Sequence, residues 1–336
     1  MTMIKIEENK YFKDLTTFRV GGKIKYFVEV KDVEETKEAL VFAKKNNLII
    51  FILGEGSDLL VSDNGFNGIV IKFVGDSYKI DGNIVTAQAG LSWDKLVDIT
   101  VENDLQGLEC LSGIPGTVGA SPIQNIGAYG AEMSNTFEKL EALNLEKGKI
   151  EEFDKERCEF GYRESIFKTK EYWQKYLILS VSFKLNKGGK PTVNYDSLKG
   201  LVNKSSTISE IREAVIKTRN ERLENPKEHG NAGSFFQNPI IDKNKKQELE
   251  DLYPDIKIFP FGENFKVFAG WLIEKAGWKG RVHKEAGVSP KHALILINRT
   301  NKATAMDIYE LSQKIIDDVS NKFGVEMKRE VQLINF

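Results

Sequence analysis

Five short segments hold the residues whose types and spacing could do chemistry. The first is GEGSDLL, Gly54 to Leu60, which follows an apolar run and places Gly54, Glu55, Gly56, Ser57 and Asp58 in one turn. Glycine lets successive backbone N–H groups converge on an anion, and Ser57 adds a hydroxyl donor. A pyrophosphate fits such a turn, and so does an ordinary connection between strands, because the spacing matches neither the Rossmann nor the Walker pattern. The second segment, residues 111 to 133, is rich in Gly, Ser and Ala and includes Gly116, Thr117, Gly119, Ser121, Gln124, Asn125, Gly127, Ala128 and Tyr129. Small residues allow backbone to approach a flat ring closely, while amides and backbone N–H groups can bond the polar edge of a heterocycle. A tightly packed loop crossing a core would have the same composition.

The remaining three segments each offer one reactive group. In FGYRESIFK, Tyr162 and Arg163 stand together; an arginine holds a carboxylate through two parallel bonds and keeps its charge in a dry site, though alone it reads as a structural ion-pair residue. In GNAGSFFQNP, Ser234 follows a flexible turn outside any GxSxG elbow. A serine hydroxyl is a weak acid, suited to protonating a carbanion-like intermediate. Glu330 lies in MKREVQL, where a lone glutamate in a terminal strand is expected to face solvent.

Other chemistries find little support. The histidines are His229, His283 and His292, in no HExxH spacing, so neither a zinc hydrolase nor a Ser-His-Asp hydrolase is expected. Cys110 and Cys158 form no CxxC and read as buried free thiols. No metal site is expected, and demanding redox chemistry would need an organic cofactor. With 48 basic against 49 acidic residues, the chain lacks the electrostatic footprint of a general nucleic-acid binder.

The elements that must position these groups are readable from periodicity. KIKYFVEV (23 to 30) reads as a strand, VEETKEALVFAKKNN as an amphipathic helix and LIIFIL (48 to 53) as a buried strand, a βαβ unit. NIVTAQAG, EALNLEKGKIEEF and YLILSVSFKL read as strands around a helix at SWDKLVDITVEND. TISEIREAVIKTRNERL, GWLIEKAG and ATAMDIYELSQKIIDDVSNKFG read as helices, with HALILINR and VEMKREVQLINF as strands. At 336 residues more than one domain is expected. The division expected is 1–75, 76–218 and 219–325, with residues 326–336 returning to the first part. No run approaches the ~20 apolar residues that span a bilayer, and the N-terminus lacks a signal-peptide core, so a cytoplasmic protein is expected.

Together, and in this order, TTFRVGG, LGEGSDLL, IPGTVGASPIQNIGAYG, FGYRESIFK, GNAGSFFQNP and the Glu330 strand resemble the UDP-N-acetylenolpyruvoylglucosamine reductase family over nearly the whole chain. The resemblance implies an α+β fold: an FAD-binding region of vanillyl-alcohol-oxidase type in two subdomains, plus a smaller α/β substrate domain. It implies that GEGSDLL serves the FAD pyrophosphate, that residues 116 to 130 line the flavin, and that Arg163, Ser234 and Glu330 are the catalytic trio. It further implies a Tyr195 loop folding over the substrate, with Tyr129, Tyr162, Arg222 and Asn238 as substrate contacts. Arg222 stands where the family's pattern can carry lysine, which keeps the charge and changes the geometry. The implied reaction uses NADPH to reduce FAD and then passes a hydride to C3 of UDP-N-acetylglucosamine enolpyruvate; Arg163 and Glu330 stabilise the enolate and Ser234 protonates C2. A small-molecule substrate, a monomer, no nucleic-acid partner and no membrane insertion complete the expectation. An alcohol or sugar oxidase on the same flavin fold would explain both glycine-rich segments but not Ser234 and Glu330 together.

Overall fold

The computed structural model describes residues 4–188, 198, 200–203 and 205–336. Two compact units emerge, each assembled from separated stretches. The first comprises the chain up to Lys10, Ile24–Glu55 and Phe66–Glu221; the second comprises Tyr11–Lys23, Gly56–Gly65 and Arg222–Phe336.

In the first unit, strand Lys23–Val30 leads into helix Val33–Lys45 and strand Ile50–Leu53. Asp32 caps the helix by accepting from the Glu35 N–H, with Glu34 and Glu35 in the first turn and Lys44 and Lys45 in the last, each charge set against the helix dipole. Thr36, Ala39 and Ala43 recur at helical spacing and form its buried stripe. The two strands of this βαβ unit are not neighbours: Phe66–Phe73 lies between them and pairs in parallel with both. Its run Gly68–Ile71 is buried throughout, as a strand covered on both faces requires.

A second sheet of the same unit is antiparallel, in the order Lys149–Asp154, Phe137–Asn144, Tyr176–Lys184, Ile84–Gln88, Tyr78–Asp81. Helix Trp93–Glu102 buries Trp93, Leu96, Val97 and Thr100, and the Trp93 ring meets Phe183 edge to face at 5.7 Å. One continuous core runs from Val28 and Val30 through Trp93 and Phe153 to Leu185.

The second unit has its own core, from Phe18 and Leu60 to Val331. Its longest helix, Ala305–Phe323, starts at a reciprocal capping box between Thr304 and Asp307 and ends at Gly324. Ile308, Leu311, Ile315, Val319 and Phe323 form its buried stripe. Strand Gln332–Ile334 pairs in parallel with Leu59–Val61. HALILINR contracts to strand Leu296–Asn298. Helix Lys243–Leu252 and the hairpin of Ile258–Phe261 with Asn264–Val267 were not anticipated. The helix buries Leu249 alone, so it has no apolar periodicity; its one start signal is Asp242, which accepts from the Lys245 N–H.

Candidate active site

Within the first unit, Gly54 and Glu55 meet the second glycine-rich segment. A side chain at Gly54 would stand 3.4 Å from Thr117 Oγ1 and 3.5 Å from Ala120 Cβ, so the Gly54 backbone lies beside the side chains of the second segment. Glu55 Oε2 accepts from the Gly116 N–H at 2.9 Å, bracing one segment on the other. Residues 116–119 are also laced to residues 89–93: Trp93 N–H donates to Gly116 O, Val118 N–H to Leu91 O and Gly119 N–H to Ala89 O, all at 2.8 to 2.9 Å. A Cβ at Gly119 would come within 2.5 Å of Ala89 Cβ. Close packing therefore accounts for Gly119, while Ser121 turns its hydroxyl back on Val118 O.

Further along, Asn125 is buried at φ +44° and uses its amide inside the protein, donating to Glu132 Oε2 and Gly161 O and accepting from the Ser134 N–H. Its side chain holds the loop, and its backbone N–H donates to Pro122 O. Gln124 differs: its Oε1 is buried and has no hydrogen-bond partner among the described residues. An orphaned buried acceptor is costly, and a donor from a bound heterocycle would satisfy it. This acceptor, with the small residues around it, fits a flavin.

Arg163 joins the same surface. It sits at φ +59° in a tight turn, donates from Nη2 to Gly127 O at 2.8 Å, and stacks its guanidinium 5.2 Å from the Tyr162 ring. A Cβ on Gly127 would lie 2.8 Å from Arg163 Nη1, so glycine there is what admits the arginine. Gly127 and Ala128 pair with Ala131 and Glu132 in a short hairpin whose turn carries Tyr129 at φ +50°.

In the second unit, Gly56 has φ +65°, and a Cβ there would stand 2.4 Å from Leu15 O. Asp58 O accepts from Gln332 N–H, tying the turn that holds Ser57 to the strand following Glu330. Ser234 is exposed and bridges to Ile295, while the next residue, Phe235, accepts from Glu330 N–H. Glu330 itself is 9% exposed. Its burial corrects the expectation of a solvated carboxylate: flanking Met327 and Val331 belong to the core and draw the strand inward. Asn238 Oδ1 accepts from Ala269 N–H at the start of helix Ala269–Lys275.

Arg222 is exposed at the end of helix Ile208–Arg222. Its charge reaches His292, whose pKa is drawn below the ordinary value first by burial, then by Lys279 and Arg222. Tyr195 lies outside the described residues. Both cysteines are buried, and burial pushes each thiol up to about 12.

Sequence reasoning missed the fastening behind the glycine-rich segment. Arg212 grips Asp94 through two bonds of 2.6 and 3.0 Å and reaches Asp98 at 3.2 Å; Asp94 Oδ1 accepts from Gly113 N–H, and Gly113 O accepts from Arg219 Nε at 3.0 Å. Burial alone would raise the Asp94 pKa, yet the Arg212 and Gly113 bonds hold it below the usual carboxylate range. The only available signal was two arginines seven apart on one helical stripe of IREAVIKTR.

Comparison with known proteins follows the same division. Residues 24–154 match an FAD binding domain, and residues 225–334 match the C-terminal domain of UDP-N-acetylenolpyruvoylglucosamine reductase. Fold and site thus define a flavin-binding protein of α+β architecture. UDP-N-acetylenolpyruvoylglucosamine reductases of Pseudomonas aeruginosa and Flavobacterium johnsoniae are 35% and 38% identical, each over 98% of this chain and 99% and 100% of their own. The crystal structure of the Thermus caldophilus enzyme superposes with a TM-score of 0.71 at 25% identity, covering 99% of this chain and 100% of that one. The chain belongs to the UDP-N-acetylenolpyruvoylglucosamine reductase family.

Proposed function

We propose that this protein reduces UDP-N-acetylglucosamine enolpyruvate to UDP-N-acetylmuramate with NADPH and FAD, a step of peptidoglycan precursor synthesis. The observation that carries the reading is full-length similarity to reductases of this name, with Arg163, Ser234 and Glu330 all at the matching motifs. Gly54 to Asp58 would hold the FAD pyrophosphate, and residues 116 to 128, with the unpartnered Gln124 Oε1, would line the ring. FAD, when bound, accepts a hydride from NADPH and delivers it to C3 of the enolpyruvyl group.

The protein's own groups manage the charge and proton that remain. Adding hydride to C3 pushes an electron pair onto C2 and the adjacent carboxylate. Arg163 supplies a fixed positive charge to that carboxylate, and Glu330, held in a water-poor strand, shares a proton with it. Ser234 gives its hydroxyl proton to C2, which closes the balance of one hydride and one proton added across C=C, and is reprotonated from solvent at its exposed position. Arg222, Asn238, Tyr129, Tyr162 and Tyr195 are proposed to hold the nucleotide substrate. Action as a monomer in the cytoplasm belongs to the same proposal; among the described residues no helix is long and apolar enough to cross a membrane.

An anaerobic two-step titration tests the whole. NADPH should bleach the flavin, and the enolpyruvyl substrate should restore the oxidised spectrum with formation of UDP-N-acetylmuramate. A flavin that bleaches but is reoxidised only by oxygen would move the protein to the alcohol or sugar oxidases.

A further inference from the structure

Ser234 lies outside every helix and strand of the second unit, so the chain on either side must fix its place. After it the fastening is by backbone: Ser234 bridges to Ile295, and Phe235 N–H donates to Leu294 O at 2.9 Å. Before it stands Gly233, at φ +68°, where an added Cβ would meet nothing within 4 Å. Side-chain packing therefore does not hold this residue, and glycine enters many conformations at little steric cost. A loosely held residue next to a proton donor would spread the directions in which the donor points.

A bond from the preceding residues limits that freedom. Gly233 N–H donates to Asn231 Oδ1 at 2.9 Å, a side chain standing in for a turn's backbone acceptor. Asn231 is itself firmly held: it is 2% exposed, its Nδ2 donates to His229 O at 2.8 Å and to Glu224 O at 3.4 Å, and its backbone N–H donates to Thr17 O at 3.0 Å. Its neighbour Gly230 packs so closely that a Cβ would stand 2.3 Å from Phe18 O, and Asn298 N–H donates to Gly230 O at 2.7 Å. The two halves of the Asn231 amide thus serve different ends. Nδ2 bonds back to residues 224 and 229, and Oδ1 bonds forward to the turn that carries Ser234.

We propose that Asn231 is a positioning residue for the proton transfer: through Oδ1 it fixes Gly233, and with it the direction in which Ser234 presents its hydroxyl to C2 of the substrate. The inference rests on the reductase reading above, in which Ser234 is the proton donor. A misplacement of about 1 Å in a reacting group can cost on the order of 10²-fold in rate, so a bond to the neighbouring residue is enough to matter. Reduction of FAD by NADPH takes no proton from Ser234 and does not depend on this bond.

Stopped-flow absorbance of the FAD holoenzyme separates the two half-reactions in the wild type, N231A, N231S, S234A and the N231A/S234A double variant. N231A should be bleached by NADPH at the wild-type rate and reoxidised by saturating enolpyruvyl substrate roughly tenfold to a hundredfold more slowly, with half-saturation unchanged. In the S234A background no hydroxyl remains to direct, and N231A should change reoxidation by less than about threefold. N231S gives up the Nδ2 bonds but keeps a hydroxyl oxygen for Gly233 N–H, as serine does in such turns, and should recover most of the rate. Three results each overturn the inference by assigning Asn231 to the fold at large: equal slowing of both half-reactions, a loss in the S234A background as large as in the wild type, or N231S as slow as N231A. Should N231A not fold, N231S decides alone: reoxidation within about threefold of the wild type upholds the inference, and a loss of about tenfold or more overturns it. A wild-type flavin that NADPH bleaches and the enolpyruvyl substrate leaves bleached would instead defeat the reductase reading itself.

Discussion

The backbone N–H of Glu330 donates to Phe235 O at 2.8 Å, so the carboxylate strand is fastened one residue past Ser234. Phe236 bridges to Arg329, and Gln237 N–H donates to Lys328 O, extending the same fastening. The proposed proton donor and the buried acid are therefore set by one piece of backbone pairing, which makes their separation insensitive to surface changes nearby.

Ser234→Ala should leave bleaching of the flavin by NADPH unchanged and slow its reoxidation by the enolpyruvyl substrate by about 10²- to 10⁴-fold, the range for a general acid. Stopped-flow absorbance resolves the two half-reactions. Equal slowing of both would remove Ser234 from the proton-transfer step.

Arg163→Lys keeps a positive charge and loses the planar fork that bonds Gly127 O and stacks beside Tyr162. We expect kcat/KM for the enolpyruvyl substrate to fall roughly tenfold to a hundredfold, on the scale of about 1.4 to 2.7 kcal/mol, with FAD content unchanged. A variant that matches the wild type would show that charge alone suffices there.

Gly56→Ala places a Cβ 2.4 Å from Leu15 O at φ +65°. Left-handed strain plus a backbone clash should cost on the order of 1–3 kcal/mol. Thermal unfolding reads this directly, and an unaltered Tm would mean that the turn relaxes without penalty.

His292 titrates below its ordinary value because burial, and then the charges of Lys279 and Arg222, disfavour its protonated form, against Glu274. The unfolded chain therefore takes up a proton first as pH falls. The stability linked to His292 is whole above about pH 6.5 and is lost as pH drops through the folded pKa. Urea unfolding of His292→Gln across that interval should show a shallower decline than the wild type's. Parallel curves would assign the acid sensitivity elsewhere.

Local signals were legible because their physics is local. The period-two and period-3.6 patterns and the glycine-dense segments all read directly from adjacent residues. Strand Phe66–Phe73 entering between its two predecessors was not readable, since nothing in its own residues says which edges it will pair. The Arg212 to Asp94 grip joins positions 118 apart, a distance over which sequence spacing carries no information. Burial of Glu330 was missed for the same reason, because the strand's polar letters give no sign that core neighbours enclose it. Helix Lys243–Leu252 escaped because a single buried leucine makes no stripe.

The pairing of Gln332–Ile334 with Leu59–Val61 sets an order of events in time. Asn335 Nδ2 bonds Gly65 O across 270 positions, so this part of the second unit closes only after a very long loop has been searched. Helix Val33–Lys45 and the hairpin joining Phe137–Asn144 to Lys149–Asp154 need no such search. In refolding from denaturant, amide protection should thus appear in those elements well before it reaches Ser62, whose N–H donates to Ile334 O, and the Glu330 strand. During that interval the chain would have secondary structure for holding a ring but no seated carboxylate beside its serine, and recovery of catalysis would lag behind recovery of helix signal.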